Sequence, residues 1–248
     1  MITHLMQPED IAKEFWQDLD RATYWMNRKS GGEGGRVRGF QKMVYGLYCG
    51  AQEKRSEIHF YDSPKTGNHW MMWDAVRMGR NGMEPATYRV CYQMTEKYMC
   101  VMIPTTLAME DSEMMNGITI YTPHMFQRMH ERLGVDMTDR LKVIRNFCEN
   151  LVESMMDHRN PRKGEQHEQM ICRLPGSWLR GHFTKVSNGY VTIYRTYYTD
   201  QTLTPQQRSD LRTFRKRADK ARESGDIESF VKQKRKESIT SNNENNGI

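Results

Sequence analysis

The segment Tyr121-Thr-Pro-His-Met-Phe-Gln-Arg-Met-His-Glu-Arg-Leu-Gly134 is the pivot of the chain, the first clear helix after a long run of strand-like sequence. Thr122 suits an N-cap, Pro123 has the fixed φ that suits the first helical position, and Gly134 can take the left-handed conformation that ends a helix. At about 100° per residue from His124, the side chains of Arg128, Arg132 and Glu131 fall within roughly 80° of it, whereas Met125, Phe126, Met129 and Leu133 gather on the far side. One face is therefore built for a core and the other for water or a cleft. His124 also lies in the first turn, where the helix dipole disfavours imidazolium and leaves a neutral ring able to accept a proton.

Downstream, a second helix is expected from about Asp136 to His158, with Leu141, Ile144, Phe147, Leu151 and Met155 as its apolar stripe. A basic loop, His158 to Gly164, should end it. Three strands follow, Met170 to Leu174, Trp178 to Val186 and Tyr190 to Thr199, the last two joined by Ser187-Asn-Gly189. Thr204-Pro205 then opens a long charged helix through about Lys220, which can resume from Asp226 to Lys236. The tail from Ser241 is low in complexity and reads as disordered.

Upstream, Pro8 to about Asn27 is helical, with Ile11, Phe15, Leu19, Ala22 and Met26 at spacings of three and four. Lys29-Ser-Gly-Gly-Glu-Gly-Gly35 breaks it and reads as a flexible loop; no G-K-[ST] follows, so it is not a P-loop. From Phe40 to Tyr121, short aromatic and β-branched segments suggest strands near 40–49, 56–61, 69–78, 87–94, 97–103 and 117–122, with turns at Ser63 to Asn68, Arg80 to Gly82 and Thr95 to Lys97. The 20 methionines read as adaptable core filling. The expected fold class is α+β: antiparallel sheets in both halves, an N-terminal helix, a central helical pair and a long basic C-terminal helix. The units expected are an N-terminal α+β region over 1–117, a helix pair with antiparallel sheet over 118–204, the basic helix over 205–237 and the tail over 238–248. The polar stretches Pro104-Thr-Thr and Glu110-Asp-Ser-Glu mark the division between the first two.

In 248 residues, 37% are hydrophobic and 27% charged, enough for a core but on the polar side of average. No apolar run nears the roughly 20 residues of a membrane span, and the N-terminus lacks signal-peptide order. Five cysteines without a C-x-x-C suggest neither a disulfide framework nor a zinc ribbon, so a cytoplasmic location is expected. The net charge of +6 is uneven. Residues 1–122 hold 14 Lys and Arg against 15 Asp and Glu, whereas residues 205–237 hold 11 against 6. Such clustering points to a polyanion, nucleic acid above all, or equally to a solvated amphipathic helix. In that helix Arg208, Arg212, Arg215 and Lys216 are the candidate phosphate contacts.

Two features could carry chemistry. A zinc helix needs histidines at i and i+4, whereas His124 and His130 are six apart, so a metal would have to be completed by His158, His167 or His182; no metal or other cofactor is expected. In the strand Tyr190-Val-Thr-Ile-Tyr-Arg-Thr-Tyr-Tyr-Thr199, alternation puts Val191, Ile193, Arg195 and Tyr197 on the expected core side. Tyr194, Thr196 and Tyr198 are then open beside His182, Thr184 or Lys185. Hydroxyls, a histidine and a lysine there suit phosphate hydrogen bonding and base stacking, or else are ordinary cross-strand pairs.

The pattern T-x-H-x-x-x-R-x-x-x-R at a helix start, a second helix, a few antiparallel strands and a late R-T-Y-Y strand resembles a broad superfamily of small metal-independent RNases. Barnase, EndoU, colicin and RelE-type toxins belong to it. The resemblance covers roughly residues 118–204, with Met125 where alanine is usual. It implies that His124, Arg128 and Arg132 match the helix motif and Arg195 and Thr196 the strand, with His124 or His182 exchanging protons and Lys185, Thr196 or Tyr198 helping to hold the phosphate. Three readings follow: a ribonuclease of toxin or mobile-element type, a non-catalytic nucleic-acid-binding or regulatory protein with RNA as the expected partner, and a protein-binding adaptor or inhibitor docking through its basic C-terminal helix.

Overall fold

The computed structural model describes residues 1–49, 54–79, 82–108, 114–151, 155–159, 168–174 and 177–205, with Arg208, Ser209, Arg212 and Lys216 beyond them. Two helices, α1 (Pro8–Lys29) and α2 (Gly32–Tyr48), precede five strands: β1 (His59–Asp62), β2 (His69–Gly79), β3 (Gly82–Met94), β4 (Met99–Ala108) and β5 (Met114–Tyr121). Then come α3 (Pro123–Leu133), α4 (Arg140–Asn150) and a second run of strands: β6 (Met155–Arg159), β7 (Glu168–Leu174), β8 (Ser177–Val186) and β9 (Gly189–Thr199). The fold class is α+β.

The nine described strands share one sheet, in the order β1-β2-β3-β4-β5-β9-β8-β7-β6. Each run is an antiparallel meander, and the two are fused where β5 and β9 lie parallel, Gly117 opposite Tyr190 through Tyr121 opposite Tyr194. The two antiparallel sheets expected from sequence are thus a single mixed sheet. The reason lies in the chain path: α3, α4 and β6 to β8 intervene between β5 and β9, a crossover long enough to bring β9 back parallel. The division expected near 104–117 falls inside the paired strands β4 and β5. At the seam the strands approach so closely that a Cβ on Gly117 would collide with the Tyr190 ring.

Helices cover both faces. On one, the expected α1 stripe (Ile11, Phe15, Leu19, Ala22, Met26) is buried against Trp70, Met72, Cys91, Cys100, Met102, Ile118, Ile120 and Val191. On the other, α3 supplies Met125, Phe126 and Met129 and α4 supplies Val143, Ile144, Phe147 and Cys148, packed on Met71, Trp73, Val90, Val101, Tyr121, Phe183, Tyr190 and Tyr194. The α3 termini are as the sequence implies. The Thr122 side chain accepts from the Met125 N–H at 3.3 Å, and Gly134 ends the helix at φ 64°. Many methionines (Met26, Met71, Met72, Met99, Met102, Met125, Met129) are core residues. Among the described residues no helix is long and apolar enough to cross a membrane.

Three local expectations are corrected. The stretch 40–49, expected as a strand, is the C-terminal part of α2, and the glycine segment before it, expected as a loop, holds only the two-residue link Ser30-Gly31, with Gly32 to Gly35 already in the first turn of α2; Gly31 and Gly32 take positive φ, 76° and 72°. Its aromatic and β-branched residues do not enter a sheet: Tyr45 is exposed. The second central helix stops at Asn150 instead of His158, and Met155–Arg159 is the strand β6, paired with β7. Finally, β9 does not have one open face. Tyr194 is fully buried under α3 and α4, while Val191 is buried under α1. Alternation then breaks at a bulge, because Arg180 pairs with Thr196 but Gly181 pairs with Tyr194, leaving Arg195 as the extra residue and returning Tyr197 to the core. The long basic helix expected from Thr204 lies mostly outside the described residues, among them Arg215; Arg208, Arg212 and Lys216 have helical backbone and are exposed.

Candidate functional site

Of the helix half of the expected catalytic set, His124 and Arg128 stand on one side of the sheet and the strand half on the other, with Arg132 between them at the edge of β9. On α3, His124 is exposed, its Nδ1 3.3 Å from the Gln127 Oε1; Gln127 in turn donates to Glu131 at 2.8 Å, and Arg128 is ion-paired with Glu131 at 2.7 Å. Arg132 has a structural partner. Strand β5 ends at Tyr121, but β9 runs on to Thr199, so past that point α3 lies along β9 in place of a strand. The Thr122 N–H reaches the Tyr194 carbonyl, and Arg132 donates to the Tyr197 carbonyl while its guanidinium lies 5.0 Å from the Tyr198 ring centre.

On β8, Leu179 and Phe183 belong to the core under α3 and α4, so Arg180 and His182 face the α1 side. Thr196, opposite Arg180, faces it too. The bulge residue Arg195 is exposed and close enough to His4 that its charge, after burial, lowers that imidazole's pKa. The sheet therefore separates His124 and Arg128 from His182, Arg195 and Thr196. Of the expected nucleic-acid contacts, Tyr194 is enclosed and stacked on Tyr121 at 5.5 Å, Tyr198 is covered by Arg132, and Lys185 is exposed beside the β8–β9 turn. Arg208 donates to the Leu203 and Gln201 carbonyls, which places it as a local tether.

What the structure does assemble lies at the other end of the chain. A groove of about 490 Å³ runs between α1 and the edge strand β1, lined by Asp20, Arg21, Tyr24, Trp25, Arg28 and Tyr61. Trp25 and Tyr61 form its half-buried floor, ring centres 5.5 Å apart and planes inclined at 36°, with His59 at 6.4 Å from Trp25. Lys29 lies 5.7 Å from the Trp25 ring. Tyr24 projects from the rim, 66% exposed. Among the described residues Arg28 has no ion-pair partner, so its charge is available to a ligand.

A buried carboxylate holds this groove in shape. Asp18, one turn before Arg21 and Ala22, is fully buried and accepts from the Ser63 hydroxyl at 2.5 Å, the Thr66 hydroxyl at 2.9 Å, the Asn68 amide at 3.0 Å and the Trp70 indole at 2.9 Å. Burial alone would raise its pKa; the donors from Ser63, Trp70, Asn68 and Thr66 outweigh it and hold the carboxyl below the ordinary range. Arg21 lies 3.7 Å from the same carboxylate. The N-terminus joins this knot, because the Ile2 N–H donates to Asn68 at 2.8 Å and the Met1 amine lies 3.2 Å from Glu14. Turn, helix and edge strand are thereby fixed, which sets Tyr61 under Trp25.

These residues were readable as a second stripe on the first helix. Arg21, Tyr24, Trp25 and Arg28 recur at three and four residues beside the apolar stripe, a mixed aromatic and cationic surface that charge counting over whole segments hides. Tyr61 was not readable, since only the fold brings it to α1. Compared with protein-family models, curated proteins and solved structures, the chain matches none, so a functional reading rests on the chemistry of this groove.

Proposed function

We propose that the protein is a non-catalytic binder of single-stranded nucleic acid, with a base seated in the Trp25–Tyr61 groove and its flanking phosphates held by Arg21, Arg28 and Lys29. The observation that carries this reading is the presence in one open groove of two aromatic rings and two guanidinium groups. Aromatic platforms with a cationic track are the usual means of holding unpaired strands, because every base has a face to stack and every linkage a charge to neutralise. Asp20 on the lining favours a base over an acidic peptide: a carboxylate accepts from an exocyclic amine but repels another carboxylate. No reaction is assigned, since the sheet lies between the imidazole of His124 and the side chains of His182, Arg195 and Thr196.

Titrating a dye-labelled single-stranded oligonucleotide with the full chain tests the proposal. Base stacking contributes about 1–3 kcal/mol, so Trp25→Ala should weaken binding roughly tenfold or more. If three cations meet phosphates, log affinity should fall with log salt at a slope of about −2. Affinity that ignores both Trp25→Ala and Arg28→Ala, or that does not change with salt, defeats the reading. So does tighter capture of an acidic peptide at the same groove.

A further inference from the structure

Beyond the end of α1 a second charged site lies beneath α2. Asp74 on β2 and Thr87 on β3 are directly opposite, and both face the helix-covered side that α1 and α2 share. Arg36 from α2 reaches down to them, its Nε 3.2 Å from the Asp74 Oδ2 and its Nη2 2.8 Å from Oδ1. Arg36 also donates to the Thr87 hydroxyl, which itself donates to Asp74 at 2.7 Å. One carboxylate is thus engaged by three donors. Arg89, opposite Met72 and diagonal to Asp74, shares this half-enclosed space. Its Nε is shut off from water without a hydrogen-bond partner, and among the described residues Arg89 forms no ion pair. Burial first, then the Arg36 charge, lower its pKa, and Asp74 offsets them only in part. The site holds two guanidinium groups and one carboxylate that the first already occupies.

We propose that Arg89, beside Arg36, is the centre of an anion site that takes a phosphate group. A half-buried guanidinium without an ion-pair partner is costly, and a tetrahedral oxyanion relieves it by accepting N–H bonds from the outer Nη groups of Arg89 and from the remaining Nη1 donor of Arg36, which now makes only a long contact, 3.5 Å, to Asn27. The phosphate can belong to a strand lying in the groove, since Asn27 is two residues from Trp25, or to a free phosphorylated molecule. This inference does not depend on the groove.

The test is the thermal unfolding midpoint of the full chain in inorganic phosphate against chloride at matched ionic strength. Phosphate should raise the wild-type midpoint by several degrees, Arg89→Lys should keep part of the shift, and Arg89→Gln should lose all of it. Without phosphate, Arg89→Gln should be no less stable than wild type, because it removes an uncompensated charge. Equal shifts in wild type and Arg89→Gln, or an equal shift in chloride, would overturn the site. Trp25→Ala should keep the phosphate shift, which separates this site's failure from that of the groove. Where the phosphate response is lost in Arg89→Gln, a fall in oligonucleotide affinity identifies the ligand as a strand, and unchanged affinity identifies a small phosphorylated molecule.

Discussion

On the face covered by α3 and α4 the sheet meets Tyr121, Phe126, Phe147 and Tyr194, rings against rings, whereas on the face covered by α1 a buried carboxylate is set among the apolar side chains and binds four donors. The first face is held mainly by area removed from water, with single directional bonds at its margin, the Trp73 indole donating to Glu149 at 3.0 Å and the Tyr190 hydroxyl to Thr105 at 2.8 Å. The second adds directional bonds that fix where one helix sits against one turn. Specific recognition needs fixed side chains, and the groove adjoins the one carboxylate on which four such bonds converge. On the apolar side the cations serve the fold: Arg132 satisfies the Tyr197 carbonyl, and Arg140 donates to the Thr95 carbonyl at 2.6 Å.

Substitutions should separate the two modes. Asp18→Ala should have the largest effect, about 5 kcal/mol, since four donors lose a buried acceptor. Its cost should also depend on pH. The folded carboxyl titrates below the unfolded value of about 3.9, so its contribution is complete above that value and is lost as pH falls through the folded pKa. Phe126→Ala should cost about 3–4 kcal/mol through the cavity it leaves, equally at every pH. Urea unfolding from neutral to acid pH compares them: the gap between Asp18→Ala and wild type should narrow in acid while the Phe126→Ala gap stays constant. A constant gap for both would erase the distinction.

A smaller effect is expected at α2, which has no buried residue among those described and is tied to the sheet by Arg36. Arg36→Ala should cost about 2 kcal/mol, as loss of the paired, partly buried N–H bonds to the Asp74 carboxylate. Hydrogen exchange should show it locally, with α2 amides exchanging faster and those of β3 and β4 unchanged. Acceleration spread evenly over the sheet would mean that α2 is part of the core after all.

Periodicity made α1, α3 and most strands legible, because an apolar stripe or an alternation records what the neighbouring layer buries. It failed where the environment is not periodic. Phe40, Val44 and Tyr45 look like strand residues, but they lie on a surface helix tied to the sheet by Arg36. In β9 one inserted residue, Arg195, changed which tyrosines point inward, and no count of alternation could reveal it. The expected site failed for a related reason. The histidine helix and the hydroxyl strand are neighbours in the fold, yet which side of a sheet a strand residue faces is decided by the register of its partners, and the Arg180–Thr196 pairing turned that half of the set away.

Ultraviolet cross-linking of single-stranded RNA to the intact protein, with the attached peptides read by mass spectrometry, addresses the central claim most directly. Adducts are expected on α1 and β1, at Trp25, Tyr24 or Tyr61, and should be lost in Trp25→Ala. Adducts confined to α3 and β9, with the α1 and β1 peptides unmodified, would contradict the claim and return the search to the side of the sheet that carries His124.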